Sequence, residues 1–531
     1  MADTTFVSGT VIASTWLNDI NDAVYSGIGA GGVAPTTAAA VRTNLGYPAS
    51  TGSSLLGHVS AGTGAVATTV QTKLRESVSV KDFGAVGDGV ADDTAAINSA
   101  ITAVSTTGGK VFFPKGTYKV TSTITITSSA GVTLEGESRT ASVIKTNQAT
   151  GVVISITGWD VTLQALGFDS SATRTASAYV DMVGVRGRIR DFRMTNDFIG
   201  IRMQGVSCVI QNGLLQVGAS GGTRIIVTGG DTSQLIDGVT IGAQSAPFPA
   251  VGIDVLDSSA LIISNTNVLT AGICLSISPS SAGVFSLFAS NCFFDTSTTG
   301  IQIAPTGTGN VARCRFTGCW TGGMTANGVL MTNTGAGICE GLHFVDHHSI
   351  GNTGSGFSLN AGVKDFSVIG GEIANNAAHG VFVAANATDF SITGATIGQG
   401  AGVGQNTLWG VIVSAGTSDR YVITDNRFKS NGSGQISDGG TGTDKVISDN
   451  SGYKTSNGTT TSVTFDASGV GTISHGLALT PKWVTAFALA AASAEVTVTS
   501  VSSTTITLRL RVTTTDANQA GAYNIMWSAQ A

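Results

Sequence analysis

Residues 77–137 read SVSVKDFGAVGDGVADDTAAINSAITAVSTTGGKVFFPKGTYKVTSTITITSSAGVTLEGE. A helix is predicted in the middle of this stretch from apolar residues at 3.6-residue spacing, namely Ala96, Ile97, Ala100, Ile101 and Val104. Asp92 and Asp93 lie where the helix begins, and carboxylates there accept hydrogen bonds from free amides and complement the helix dipole. Val78, Val80 and Phe83 alternate before it as a strand would. The apolar stripe must cover something, so we predict a cap over the open end of a stack of β-coils.

This stretch also carries a family resemblance. KDFGAVGDGVADDTAAINSAI (residues 81–101), followed by GGKVFFPKGTYKV (108–120), resembles the opening signature of the pectate-lyase-like β-helix family. That signature recurs in bacteriophage tailspikes and in some polysaccharide lyases and hydrolases. The resemblance implies the fold and a homotrimer, but it implies no mechanism, because one fold hosts many activities.

Composition predicts a β-protein of many short strands and turns. The chain has 531 residues, of which 71 are glycine and only 11% are charged. No apolar run approaches the roughly 18 residues that a membrane helix needs, so no membrane insertion is expected. The N-terminal sequence MADTTF lacks the pattern of a secretory signal, and assembly in a host cytoplasm is therefore expected.

Charge and cysteine content exclude several further functions. The formal net charge is −6 without basic runs, so no nucleic-acid partner is expected. The six cysteines show no CxxC spacing and are predicted to be buried, apolar residues rather than metal ligands or disulfides. We find no phosphate-binding loop, dinucleotide fingerprint or zinc spacing, and we expect neither a cofactor nor a metal.

Two repeating elements predict the architecture of residues 110–454. A glycine followed by alternating apolar residues recurs at intervals of 20 to 30 residues, at Gly252, Gly272, Gly300, Gly328, Gly356, Gly380, Gly410 and, more weakly, Gly434. A second element recurs at Phe366, Phe390, Tyr421 and Lys445. Two or three short strands per repeat are typical of a right-handed parallel β-helix, whereas a leucine-rich repeat would need more leucine and a propeller about forty residues per blade. Successive coils should then stack about 4.8 Å apart.

The two ends of the chain differ from this repeat. Residues 1–76 are predicted to form an arm with a short helix near residues 11–25, and STWLNDIND (14–22) resembles the arms by which phage tail fibres and spikes attach to a virion. A leader without fixed structure is the alternative. Residues 77–109 form the predicted cap, and 455–531 a small antiparallel β-sandwich. HGLALTPKWV and YNIMWSAQA in that last segment resemble a C-terminal module of phage tail fibres, which implies a role in trimerisation or adsorption.

Aligning the repeats places outward-facing residues in one column: Trp320, His348, Glu372, Thr396 and Arg427. Two positions earlier, Asp346 is expected on the same face. An exposed tryptophan beside charged groups on a rigid β-surface suits sugar recognition, because aromatic faces pack on ring C–H groups while charged groups bind hydroxyls. Trp320 and Arg427 are therefore the predicted substrate-binding residues.

Asp346 and Glu372 form the predicted catalytic pair. One coil and two residues apart, their Cα atoms should lie about 8 Å from each other. Carboxyl groups about 5 to 9.5 Å apart serve glycosidases as acid plus nucleophile or acid plus base. His348 is close enough to carry a proton or to tune one of them. Alternatively, surface carboxylates merely solvate the coil, His347 and His348 cap a turn, or another acid acts: Asp169, Asp191, Asp197, Asp254, Asp257 or Asp295.

These observations together predict a phage tailspike, located in the virion tail, that binds a bacterial surface polysaccharide and depolymerises it as a glycoside hydrolase. Its expected partners are two further copies of the chain, a phage tail or adaptor protein bound through the arm, and the polysaccharide. A non-enzymatic adhesin of the same architecture is the competing hypothesis. A polysaccharide lyase is disfavoured because clustered aspartates for calcium beside a Lys or Arg are not evident.

Overall fold

The computed structural model describes residues 57–216, 221–229, 233–242, 248–360, 362–399, 404–452, 456–475, 480–481, 483–489, 494–512, 517–518 and 520–530. The chain divides into two compact units, Met1–Val78 and Ser79–Ala531. In the first unit, strands Gly57–His58 and Thr68–Thr69 pair antiparallel. Helix Val70–Leu74 follows, and the Thr69 side chain accepts a hydrogen bond from Thr72 N at its start. The helix predicted near residues 11–25 lies outside the described residues.

Three parallel sheets form the second unit up to residue 448, and a typical coil contributes one strand to each sheet, although Val284–Phe285 and Phe288–Ser290 of one coil both belong to sheet 2. Sheet 1 contains Ile124–Ile126, Ile154–Ile156, Ala178–Met182, Ile199–Met203, Thr223–Val227, Val251–Val255, Ile273–Ile277, Thr299–Ile303, Val329–Met331, Phe357–Leu359, Val381–Val383, Trp409–Gly416 and Gly434–Gly440. Sheet 2 contains Gly109–Phe113, Val132–Gly136, Thr162–Gln164, Arg188–Arg190, Val209–Gln211, Gln234–Asp237, Leu261–Ser264, Val284–Phe285, Phe288–Ser290, Val311–Thr317, Cys339–Val345, Lys364–Ile369, Thr388–Thr393, Asp419–Thr424 and Lys445–Ser448. Sheet 3 contains Asp88–Asp92, Gly116–Val120, Ser142–Thr146, Gly167–Ser170, Arg193–Met194, Leu214–Leu215, Thr240–Ile241, Asn267–Leu269, Phe293–Asp295, Trp320–Gly322, His348–Ile350, Glu372–Ala374, Thr396–Ile397 and Arg427–Phe428. The predicted parallel β-helix is confirmed.

Helix Thr94–Val104 packs against the first coil through buried Ile97, Ala100, Ile101 and Val104, as the apolar stripe predicts. The predicted role of its acidic residues is confirmed for Asp92, whose Oδ1 accepts a hydrogen bond from Thr94 N at 3.1 Å, but it needs correction for Asp93. Asp93 occupies the N-cap position, but its carboxylate accepts hydrogen bonds from Val86 N (2.6 Å) and Gly87 N (3.2 Å) instead of from the helix. These two hydrogen bonds of Asp93 connect the start of the helix to the glycine-rich loop before it. The strand predicted over Val78, Val80 and Phe83 is shorter than expected. Ser77–Ser79 is a strand, but Val80–Phe83 forms a 3-10 helix.

The glycine repeat reflects a close approach between coils in sheet 1. A Cβ atom at Gly356 would lie 2.7 Å from Ile373 Cγ2 and 2.8 Å from the carbonyl oxygen of Gly380, so no larger residue fits without displacement. Strand register places Gly252, Gly300, Gly328, Gly356, Gly380 and Gly410 in this column. The alignment predicted for two other glycines is wrong. Val251 pairs with Ile273 and Trp409 with Gly434, which puts Cys274 rather than Gly272, and Gln435 rather than Gly434, in the column.

A ladder of buried asparagines joins the later coils. The Nδ2 atoms of Asn352, Asn376 and Asn406 donate to the Oδ1 atom of the next asparagine, at 2.7, 2.8 and 2.9 Å, and the series ends at Asn431. Each shared bond satisfies two polar groups inside the core, where unpaired ones would be costly. The ladder fixes the spacing of the coils that carry the predicted site.

Apolar ladders fill the rest of the interior. Phe366, Phe390 and Tyr421 stack with ring centroids 5.0 and 4.6 Å apart, in the register that the second repeat predicts. All six cysteines are free and buried, as predicted.

Two three-stranded antiparallel sheets follow the β-helix and agree with the predicted sandwich. One has the order Ser456–Phe465, Gly521–Gln530, Trp483–Leu489, and the other Val470–Ser474, Thr505–Val512, Ala494–Val501. Their shared core contains Phe465, Ile506, Leu508, Ile525 and Trp527. Among the described residues, no helix is long and apolar enough to cross a bilayer.

Candidate functional site

The predicted column exists on the outer face of sheet 3. Trp320 pairs with His348, and Thr396 pairs with both Glu372 and Arg427. Ser349 pairs with Ile373, so the residues before them, His348 and Glu372, are neighbours on adjacent strands. All five predicted residues are therefore aligned. The residues that follow them in the strands are buried, namely Thr321, Ser349, Ile373, Ile397 and Phe428. The alternation of a strand therefore turns the five column side chains outward.

The column extends one coil further than the sequence predicted, to Phe293. This residue pairs with Trp320 and is 51% exposed. The rings of Phe293 and Trp320 stack at 6.3 Å and those of Trp320 and His348 at 6.1 Å, with interplanar angles of 24° and 20°. The sequence contained a pattern that could have identified Phe293: it directly follows Cys292, just as Trp320 directly follows Cys319. We call Phe293, Trp320, His348, Glu372, Thr396 and Arg427 the sheet-3 column.

Glycine at position 322 accommodates the Trp320 indole. A Cβ atom at Gly322 would collide with Trp320 Nε1, so the indole lies across the backbone of its own strand. The glycine thus fixes the half-buried indole between the rings of Phe293 and His348.

Asp346 does not lie where the extended spacing placed it. It occupies the corner between Cys339–Val345 and His348–Ile350 in a left-handed conformation, with φ of 49°. Its exposed carboxylate reaches toward the next coil, since a Cβ atom at Gly370 would collide with Asp346 Oδ1. Gly370 precedes Glu372 by two residues, at most about 7 Å of chain. The two carboxylates therefore still lie at one edge of the sheet, although Asp346 reaches it from a corner and not from an extended strand. Neither carboxylate makes an ion pair with a residue that the structure describes.

The corner also separates the two adjacent histidines. His347 is fully buried, with Nε2 3.0 Å from Thr321 Oγ1 and its ring against Phe344 and Phe357. Burial lowers the pKa of His347 to about 3, so its imidazole is neutral. Of the pair, His348 is the one that can meet a ligand.

Of the other acids, Asp254 and Asp197 face away from the column, whereas Asp295 lies beside it. Asp254 lies on sheet 1, where burial raises the pKa of its carboxyl and Ser278 Oγ donates to it at 3.1 Å. Asp197 is wholly interior, 3.2 Å from Arg224 Nη1. Asp295 ends the strand that begins with Phe293 and pairs with Gly322, so it borders the aromatic part of the column. Within the described ranges, no group of three or more His, Cys, Asp or Glu could hold a metal ion.

Chemically, the column changes character along the helix axis. Its first three members are stacked rings, and its last three carry a carboxylate, a hydroxyl and a guanidinium. Arg427 is exposed. This combination can hold a polymer of sugars lying along the axis, with apolar ring faces at one end and hydroxyl or acidic groups at the other.

Comparison with known proteins agrees with the fold. Residues 77–338 match the family described as rhamnogalacturonase A/epimerase, pectate lyase-like, which confirms the predicted resemblance over that segment. Mannuronan C5-epimerase AlgE5 of Azotobacter vinelandii is 62% identical over 42 residues, 8% of this chain and 4% of its own length. Plasmin and fibronectin-binding protein A of Streptococcus pneumoniae is 56% identical over 46 residues, 8% of this chain and 6% of its own length. The chain thus spans only a few per cent of the curated relatives it matches.

Solved structures match over far more of the chain. The tailspike of Escherichia coli bacteriophage HK620, in complex with a pentasaccharide, has a TM-score of 0.57 at 12% identity, covering 90% of this chain and 98% of its own. The Dettilon tailspike has a TM-score of 0.52 at 15% identity, covering 87% and 96%. At these identities the likeness establishes the fold that the chain shares with phage tailspikes.

Proposed function

Because residues 77–338 match a pectate-lyase-like family and the fold is that of phage tailspikes, we propose that this protein is a tailspike that binds a bacterial surface polysaccharide during host adsorption. The observation that carries the proposal is the stack of Phe293, Trp320 and His348 on an exposed, rigid sheet. Phe293 is exposed and Trp320 and His348 are half-buried, and aligned aromatic rings at a surface suit the repeating ring faces of a polysaccharide. The oligosaccharide bound to the HK620 tailspike supports the same substrate class.

Depolymerisation is the second part of the proposal. Asp346 and Glu372 supply two carboxylates on one edge of the sheet, as glycoside hydrolysis requires. In this scheme one carboxyl group protonates the leaving oxygen, and the other acts as nucleophile or activates water. His348, stacked on Trp320 beside Glu372, carries a proton between them or adjusts their ionisation.

Spotting purified protein on a lawn of its host tests the enzyme. A hydrolase leaves a halo and releases reducing ends without new absorbance near 235 nm, roughly where unsaturated uronates absorb. Glu372→Gln and Asp346→Asn should each abolish the halo. Asp425→Asn is the matched control, since Asp425 also occupies a left-handed corner (φ of 58°) three coils away. Full halos from both site variants would reject these residues, whatever the enzyme does.

A non-enzymatic adhesin is the second candidate, and the exposure of Asp346 favours it. Catalytic groups usually lie in a site that excludes water, and the Asp346 carboxylate is open to solvent. An adhesin would bind host polysaccharide without releasing reducing ends, and Trp320→Ala would weaken that binding while Glu372→Gln would leave its rate of product release at zero, like the parent.

We further propose a homotrimer in the virion tail, assembled in the host cytoplasm. Residues 1–76 would attach it to the phage tail or an adaptor protein, 77–109 would cap the β-helix of 110–454, and 455–531 would support trimerisation or adsorption. Sedimentation should give three times the 53.4 kDa chain mass. Removal of residues 1–76 should abolish tail binding and leave the halo unchanged.

A further inference from the structure

Four arginines crowd one coil of the β-helix, far from the sheet-3 column. Arg188 and Arg190 flank buried Ile189 in sheet 2, so both point outward and are exposed. Arg186 precedes them, and Arg193 follows the corner on sheet 3. In a chain with a net charge of −6, this is a local concentration of positive charge.

The partners of these arginines leave most of that charge unbalanced. Arg186 is neutralised by Asp160, with two contacts of 2.6 Å. In contrast, Arg190 Nε donates to Gln164 Oε1 and Arg193 Nε to Gln216 Oε1, both at 2.8 Å. Neutral amides orient a guanidinium without cancelling its charge, and other N–H groups stay available. Arg188 makes no hydrogen bond or ion pair with any residue that the structure describes.

Among the described residues, two acids and one aromatic residue border the cluster. Asp169 lies on the outward face of the strand that pairs with Arg193, and its Oδ2 is 3.9 Å from Lys145 Nζ. Asp191 lies at the corner between Arg190 and Arg193, where Asn212 Nδ2 approaches its Oδ1 at 3.4 Å. Trp159 is 50% exposed, and the Arg186 guanidinium lies 6.0 Å from its ring centroid. Asp169 and Asp191 together leave Lys145 and the three remaining arginines with a net positive charge, and the exposed indole adds a face for a sugar ring.

We propose that Trp159, Arg188, Arg190 and Arg193, here called the arginine surface, bind the acidic groups of a negatively charged polysaccharide. Guanidinium forks recognise carboxylate, phosphate and sulfate groups by paired hydrogen bonds. Arg193 and Phe293 are four strands apart in sheet 3, about 19 Å. A polymer along the axis can therefore contact both the arginine surface and the sheet-3 column, whereas a short oligosaccharide contacts one. The inference rests on the proposed glycan binding and adds an acidic substrate class.

Binding titrations of the full chain test the proposal, with polygalacturonate, hyaluronate and dextran sulfate as acidic probes and dextran as the neutral one. Arg188→Gln/Arg190→Gln should weaken binding of at least one acidic probe by about tenfold or more. Arg313→Gln/Arg315→Gln, which removes two exposed arginines five strands away on the same sheet, should change it by less than about twofold. Circular dichroism must show both variants folded. Carboxylate and sulfate probes distinguish the chemistry of the anion.

Several results would overturn the inference. Equal losses in both double variants would mean that only net charge matters. Binding of none of the acidic probes, or tighter binding of a single-stranded oligonucleotide, would also reject it. If a neutral host polysaccharide binds and Trp320→Ala alone weakens it, the proposed function stands and the arginine surface fails. If no polysaccharide binds the parent protein, both fail.

Discussion

The asparagine ladder offers the sharpest test of how the coils are held together, through the substitution Asn376→Ala. Four hydrogen bonds converge on this side chain. Its Nδ2 donates to Asn406 Oδ1 (2.8 Å) and Ser349 O (3.2 Å), and its Oδ1 accepts from Asn352 Nδ2 (2.7 Å) and N (3.2 Å). At about 1 kcal/mol each, and with the partners left buried, the variant should lose about 4 kcal/mol of unfolding free energy.

Unfolding in guanidinium chloride, followed by circular dichroism, measures the difference. The adjacent Asn375→Gly is the control, because Asn375 is exposed and adopts a left-handed conformation (φ of 55°) that glycine accepts readily. It should stay within about 0.5 kcal/mol of the parent. A loss below about 1 kcal/mol for Asn376→Ala, or equal losses in the two variants, would refute the view that the ladder fixes the coils.

Three further predictions concern the column, the interior and the glycine repeat. Trp320→Ala should weaken binding of the host polysaccharide about tenfold in a titration, about 1.4 kcal/mol, while Phe248→Ala, at a 43% exposed residue just before strand Val251–Val255 of sheet 1, should not. Burial raises the pKa of Asp197 to about 6, above its value in the unfolded chain, so its contribution to stability is complete below about pH 4 and is lost as the pH rises through 6. Relative to Asp197→Asn, the parent should therefore lose about 2 kcal/mol of unfolding free energy between pH 4 and pH 7, as measured by denaturant titrations; a difference that rises with pH would contradict the assignment. Gly328→Ala should cost about 1 to 3 kcal/mol in the same assay because its Cβ atom would collide with Ser349 Oγ, and an unchanged midpoint would show that the coils can separate there.

Local patterns predicted the coil architecture well because each coil repeats the same contacts. The register of Phe366, Phe390 and Tyr421 is that of the sequence alignment, since stacked rings require equal positions in successive coils. The alignment failed at Gly272, where Cys274 takes the glycine position and the chain spacing changes. Coils differ in length because their loops differ in length. The number of residues between two repeats does not show which loop of the coil carries the extra residues.

The candidate site was predicted only in part. The column from Trp320 to Arg427 followed from strand alternation, but Phe293 was missed because the alignment began one coil too late. Asp346 was placed by strand geometry although it lies in a left-handed corner, which aspartate adopts more readily than most residues. His347 and His348, identical and adjacent in the sequence, differ completely in environment because that corner turns one of them inward.

By itself, the sequence determined the β-helix, the helix that packs against its first coil, and the antiparallel sheets at its end, because glycine spacing, apolar period and turn residues are local properties. Only the tertiary structure decided which side chains share an edge. The approach of the Asp346 carboxylate to Gly370 and the grouping of Trp159 with Arg186 both join residues more than twenty positions apart. Such pairings depend on the length of every intervening loop and on the hand of each corner, and a shift of one residue turns a side chain from the surface into the core.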